Sequence, residues 1–149
     1  MKISYKEDYA LKVILDLASH TDGELVHIED IAKRQDIPRK YLEQLLLQLK
    51  RGGYIRSKKG PNGGYFLAKN PGDITMGDIV RFFQGSLAPI SCIDGNDGDR
   101  CDFEKRCAFF DVWKLVSSVV SDVLDNVNFK DLAVQSQRLE EVSVGMYHI

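Results

Sequence analysis

Three thiols, Cys92, Cys101 and Cys107, fall within sixteen consecutive residues, and the chain of 149 residues has no other cysteine. The thiolate is the reactive and ligating form of this side chain, and soft thiolates suit iron–sulfur clusters or zinc. An odd number of cysteines fits a disulfide framework poorly. The spacing Cys92-x8-Cys101-x5-Cys107 lets one loop wrap a single inorganic core, with three sulfurs leaving one position for another ligand. Asp99, Asp102, Glu104 or solvent could take that position. Arg100, Lys105 and Arg106 stand beside the second and third thiols and favour their ionised form, so a thiol switch without cofactor is a further reading. The run Asp94–Asp99 suggests calcium, but Gly98 occupies the fifth position of an EF-hand loop and supplies no ligand.

A second feature is charge. The chain carries a net charge of -2, yet the window from Lys33 to Lys59 holds nine basic residues against Asp36 and Glu43, a local balance of +7. A basic segment in an acidic chain is the footprint of a polyanion-binding face.

The elements that must position both features follow from local pattern. Ser4 with Glu7 three residues on is a capping box opening a first helix, whose Ala10, Val13, Ile14, Leu17 and Ala18 share one face. Ile28–Gln35 reads as a second helix, and about Pro38 to Arg51 as a third with Leu42, Leu45, Leu46 and Leu49 inward. Two short strands, Tyr54–Lys58 and Tyr65–Ala68, flank a Gly-rich turn and predict a hairpin. A helix-turn-helix followed by a basic hairpin is a winged helix. Thr75 and Asp78 open a fourth helix, and a long apolar stripe from Phe109 through Val112, Val116, Val119 and Val123 to Val127 marks a helix made for a partner helix. Phe129–Leu139 reads as a short last helix.

The expected architecture is therefore mainly α with a small β-hairpin wing. Residues 1–85 form a winged helix-turn-helix DNA-binding domain and 86–106 a cysteine-bearing loop. Residues 107–139 form the dimerisation helix and a short last helix, and 140–149 a flexible tail. In such a fold the third helix faces the major groove with Arg39, Lys40, Glu43 and Gln44 outward and Tyr41 partly so. Gln44 suits adenine, Arg39 guanine and Glu43 cytosine, while Lys40 contacts phosphate. In the wing, Lys58 and Lys59 neutralise phosphates, Gly60, Gly63 and Gly64 let backbone approach the minor groove, and Asn62 sits at the tip.

Lys6–Leu11, Tyr41–Leu45, the wing Lys59–Tyr65 and the three-cysteine loop before a long helix resemble the Rrf-two family of bacterial transcription regulators. Its members include iron–sulfur biogenesis (IscR-type), nitric-oxide-sensing (NsrR-type) and cysteine-metabolism (CymR-type) regulators. The resemblance covers about Met1 to Leu132. It implies a homodimer on a partly palindromic double-stranded DNA operator, acting as a repressor under control of a 2Fe-2S or 4Fe-4S cluster. Cys101-x5-Cys107 matches the family's closing pair, and the first gap is a little wider. Where biogenesis-type members place a histidine ligand three residues after the last cysteine, this chain has Phe110, which cannot ligate. Where nitric-oxide-sensing members take an aspartate from the other subunit, this chain has Asp8.

Zinc, or no cofactor at all, stays open beside a cluster. An electron carrier without DNA binding is a further reading, opposed by the basic window and by the lack of a fourth cysteine. No nucleophile–base pair or phosphate loop marks an enzyme. No apolar stretch approaches the roughly 20 residues of a membrane span, and Met1–Ser4 leads straight into charged residues, so a cytoplasmic location is expected.

Overall fold

The computed structural model describes residues 2–20, 23–94 and 106–147. Cys101 and the ligand alternatives Asp99, Asp102 and Glu104 lie outside the described residues.

Helix α1 (Tyr5–Ala18) starts at the expected box: Ser4 N and the Ser4 hydroxyl both donate to the Glu7 carboxylate, the first at 2.8 Å. Ala10, Val13, Ile14, Leu17 and Ala18 are all buried. Helix α2 (Ile28–Gln35) stops where Asp36 turns left-handed at φ 51°. Helix α3 (Arg39–Arg51) begins after Pro38, which is its cap rather than its first turn.

Strands β1 (Ile55–Lys58) and β2 (Gly64–Leu67) pair antiparallel, Ile55 opposite Leu67 and Lys58 opposite Gly64. Val26, just before α2, bridges Tyr65 through bonds of 2.9 and 2.8 Å, so the wing is backed by a third extended piece. Gly64 at φ +154° passes so close over Val26 that a Cβ would press on the Val26 backbone.

Helix α4 (Met76–Gln84) carries the Thr75/Asp78 box, and α5 (Phe110–Asp125) follows the cysteine segment. Helix α6 runs from Phe129 to Tyr147, eight residues beyond the end expected at Leu139. Nothing from Glu140 onward interrupts it: the stretch has no proline, and helix propagates cheaply once nucleated. Residues 140–147, read as tail, are helical.

The core is shared by α1 to α4 and the hairpin, and it extends to Phe129, which is 1% exposed. A short bridge places it there: Met76 N donates to Val127 O at 2.9 Å and Phe129 N to Ile74 O at 3.0 Å. The start of α6 is thus part of the winged domain rather than an appendage. Among the described residues, no helix is long and apolar enough to cross a membrane.

Candidate nucleic-acid interface and cysteine site

Helical periodicity divides α3 into two faces. Leu42, Leu45, Leu46 and Leu49 are buried, while Arg39, Lys40, Glu43 and Gln44 are exposed on the other side. Leu47 joins that outer face at 49% exposure. Sequence reasoning missed it, although its place outside the buried leucine stripe was the available signal. Tyr41 is half-buried, its ring meeting Tyr9 edge-on at 5.6 Å.

Arg39 is held between two carboxylates, with Nη1 2.7 Å from Glu29 and Nε 3.2 Å from Glu43. Arg34 leaves the basic face too: its guanidinium donates two bonds of 2.9 Å to Asp16, which is 4% exposed and also accepts from Gln35. The bonds to Asp16 raise the Arg34 pKa further and pin α2 onto α1. Among the described residues, Lys33, Lys40, Lys50, Arg51, Arg56, Lys58 and Lys59 form no ion pair. These seven are exposed and carry the uncompensated positive charge of the window.

The wing tip is a turn in which Gly63 N donates to Gly60 O at 2.9 Å, with Pro61 and Asn62 between. Asn62 keeps a negative φ, so the turn is of type I. Lys58, Lys59, Gly60 and Asn62 are exposed, but Gly63 is buried, and a Cβ there would strike the Lys58 carbonyl. Turn closure accounts for Gly63. Lys50 Nζ reaches Ser57 Oγ at 2.7 Å and ties the end of α3 to β1.

Cys92 lies in a one-turn segment, Ser91–Ile93, that packs against α5, and Cys107 stands just before that helix. Both thiols are free and half-buried. Unbridged thiols are the kind of ligand that suits a soft metal or cluster. Among the described residues, no group of three or more metal-ligating side chains is gathered. Asp8 forms an ion pair of 2.7 Å with Lys12 one turn on, which raises the Lys12 pKa. Asp8 also lines an open cavity of about 460 Å³ with Lys2, Ile3, Ser4 and Tyr5.

Residues 3–135 match the family model described as Rrf2, Iron-dependent Transcriptional regulator. This chain belongs to the Rrf2 family. It is 34% identical over 140 residues to the HTH-type transcriptional regulator IscR of Vibrio parahaemolyticus serotype O3:K6 (strain RIMD 2210633), covering 94% of this chain and 82% of that protein. The IscR of Aliivibrio salmonicida (strain LFI1238) is 34% identical over 143 residues, 96% of this chain and 83% of that protein.

Among solved structures, CymR of B. subtilis, the global cysteine regulator, superposes with a TM-score of 0.75 at 31% identity, covering 91% of this chain and 98% of that one. T. potens IscR does so at 0.73 and 32%, covering 91% and 88%. The Rrf2 chain is a DNA-binding transcription regulator with the winged-helix architecture, and it is not an enzyme.

In this Rrf2 chain an ion pair ties α4 to the end of α5. Arg81 on α4 donates 2.6 and 2.8 Å bonds to the two oxygens of Asp125 at the end of α5. Beyond that joint α5 buries none of its residues, and Val112, Leu115, Val119 and Val123 are each more than half exposed.

Proposed function

We propose that this Rrf2 regulator is a homodimer that represses transcription by gripping a partly palindromic operator through α3 and the wing, under the control of an iron–sulfur cluster. The observation that carries it is that Lys40, Glu43 and Gln44 stand outward on α3 over its buried leucines, with Lys58 and Lys59 exposed on the wing that follows. Gln44 and Glu43 read base edges, and Leu47 offers an apolar contact to a thymine methyl. Arg39 reaches guanine only by leaving Glu29 or Glu43, so the two acids hold it in reserve. Lys40, Lys58 and Lys59 contact phosphates, Gly60 and Asn62 bring the wing tip to the minor groove, and Tyr41 braces α3 against α1.

The apolar face of α5 pairs with the same helix of a second copy, which supports the dimer. Residues 1–85 with the start of α6 then form the DNA-binding domain, 86–106 the sensor connector and α5 the dimer contact. Cys92, Cys101 and Cys107 would hold the cluster, with Asp8 of the partner subunit as the fourth ligand. A bound cluster would supply a centre that oxidants and nitric oxide attack. The chain's own part is mechanical. The connector runs from the end of α4 to the start of α5, so whatever draws its thiols together sets the slack in that joint.

A thiol-based or cofactor-free regulator is the second reading, favoured by the likeness to CymR. Zinc held by the same thiols is the third.

The deciding measurement is an anaerobic preparation assayed for iron, sulfide, zinc and visible absorption, then titrated onto operator with and without its metal. Iron and sulfide in equal amounts, and operator affinity that changes on their removal, support the cluster reading. A colourless, metal-free protein that binds operator tightly replaces it with the second reading.

A further inference from the structure

We propose that a cavity of about 340 Å³ between the end of α1, strand β2 and the start of α6 is a binding site for a small organic acid. Its apolar floor is built from Leu17, 2% exposed, and half-buried Phe66. Among the described residues its polar lining includes the ammonium groups of Lys69 and Lys130 and the side chain of Asn70. Lys69 lies 4.9 Å over the Tyr54 ring, and neither it nor Lys130 meets a carboxylate among the described residues.

Lys130 stands in the first turn of α6, where the Phe129 amide bonds Ile74 O and the Asp131 amide bonds Asn128 Oδ1, so the Lys130 ammonium is the cationic group on this wall. The neighbouring Asp131 is turned back onto Asn128, whose Nδ2 donates to it at 2.8 Å. Asn70 accepts the Gly72 amide at 2.8 Å through its carbonyl oxygen, which leaves its amide hydrogens for a ligand. His20, also in the lining, donates from Nδ1 to Asp16 O at 2.7 Å. An apolar floor under convergent donors, at this volume, selects a small anion with a hydrocarbon part.

Three separate elements wall the cavity, and one of them pairs with the strand bearing Lys58. An occupant bridging them fixes the wing against the core, so it also changes operator affinity. That consequence alone rests on the DNA-binding reading above.

The test is an amide NMR titration of the full chain without DNA, using propionate, succinate and benzoate, with inorganic phosphate and sodium chloride at matched ionic strength. Saturable shifts clustered at Leu17, Phe66, Lys69 and Lys130 are expected for at least one acid. Lys69→Ala/Lys130→Ala is expected to weaken that acid by about tenfold or more. Should the double variant misfold, Lys69→Gln and Lys130→Gln singly serve the same purpose.

Shifts that fail to saturate by about 20 mM, or an unchanged affinity in well-folded variants, overturn the proposal. Equal binding of phosphate also overturns it, because the floor then selects nothing. The acid is finally added to the protein–operator complex at matched salt. An acid that binds without changing operator affinity removes the coupling. A protein that binds no operator at all defeats the regulator reading and leaves the cavity result intact.

Discussion

The Asp125 carboxylate lies directly over Gly77, so close that a Cβ at position 77 would collide with its Oδ1. Gly77 is buried in the first turn of α4, and its bareness lets the end of α5 close down on that helix. Arg81, one turn further on, then completes the contact with its bidentate ion pair. The glycine thus sets the approach of α5 to α4.

Gly77→Ala is expected to destabilise the fold by about 1–3 kcal/mol, the usual cost of overpacking. Asp125→Ala alone costs less than about 1 kcal/mol, because the pair is partly solvated. In Gly77→Ala/Asp125→Ala only the flexible end of Arg81 still has to shift, so the double variant should lose less than the two singles together. Urea unfolding of the four proteins measures this, and strict additivity would show that no steric conflict exists.

Acid sensitivity should follow from two carboxylates. The bonds from Arg81 hold Asp125 below its ordinary 3.8. Burial pushes Glu7 upward, but bonds from the Ser4 hydroxyl and backbone amides outweigh it and leave Glu7 below its ordinary 4.5. A carboxylate lowered by folding stabilises the native state above its ordinary value, and that contribution is lost as pH falls through the folded value. Wild-type stability should therefore drop below about pH 4.5, and Asp125→Asn and Glu7→Gln should each flatten the drop. Unfolding midpoints between about pH 6 and pH 3 check the sign, and parallel curves would refute it.

Asp16 and Arg34 offer an asymmetric test. Arg34→Ala leaves a buried carboxylate with Gln35 as its remaining side-chain donor, whereas Asp16→Ala frees a half-exposed guanidinium to meet water. Arg34→Ala should cost about 2–3 kcal/mol and Asp16→Ala about 1–2 kcal/mol, both reduced by the partial exposure of Arg34. Thermal melts of both variants decide the order. The reverse order would mean that the carboxylate is not effectively buried.

On the proposed DNA face, Gln44→Ala should alter base preference, whereas Lys59→Ala should weaken all sequences alike and reduce the salt slope by about one. Binding to operator and to random duplex across a salt series separates the two. Equal losses on both duplexes for Gln44→Ala would show that it reads no base.

The order of helices, both capping boxes and the hairpin were legible in the chain because each depends on neighbours three or four positions apart, or on a turn. The outward set Arg39, Lys40, Glu43 and Gln44 was legible for the same reason, since helical period alone divides it from the leucines. Long-range pairing was not. Arg34 counted toward the basic window until the fold set it against Asp16, eighteen positions earlier, and Arg81 meets Asp125 across forty-four positions. Nor does any local pattern show that Val26 will back the wing, that Gly77 must yield space to a distant carboxylate, or that Phe129 belongs to the winged core. Periodicity and capping act within a turn of the backbone, so the sequence by itself determined the elements and their outward residues. Which charges remain free, and how α5 is seated, depended on side chains that meet only when those elements pack.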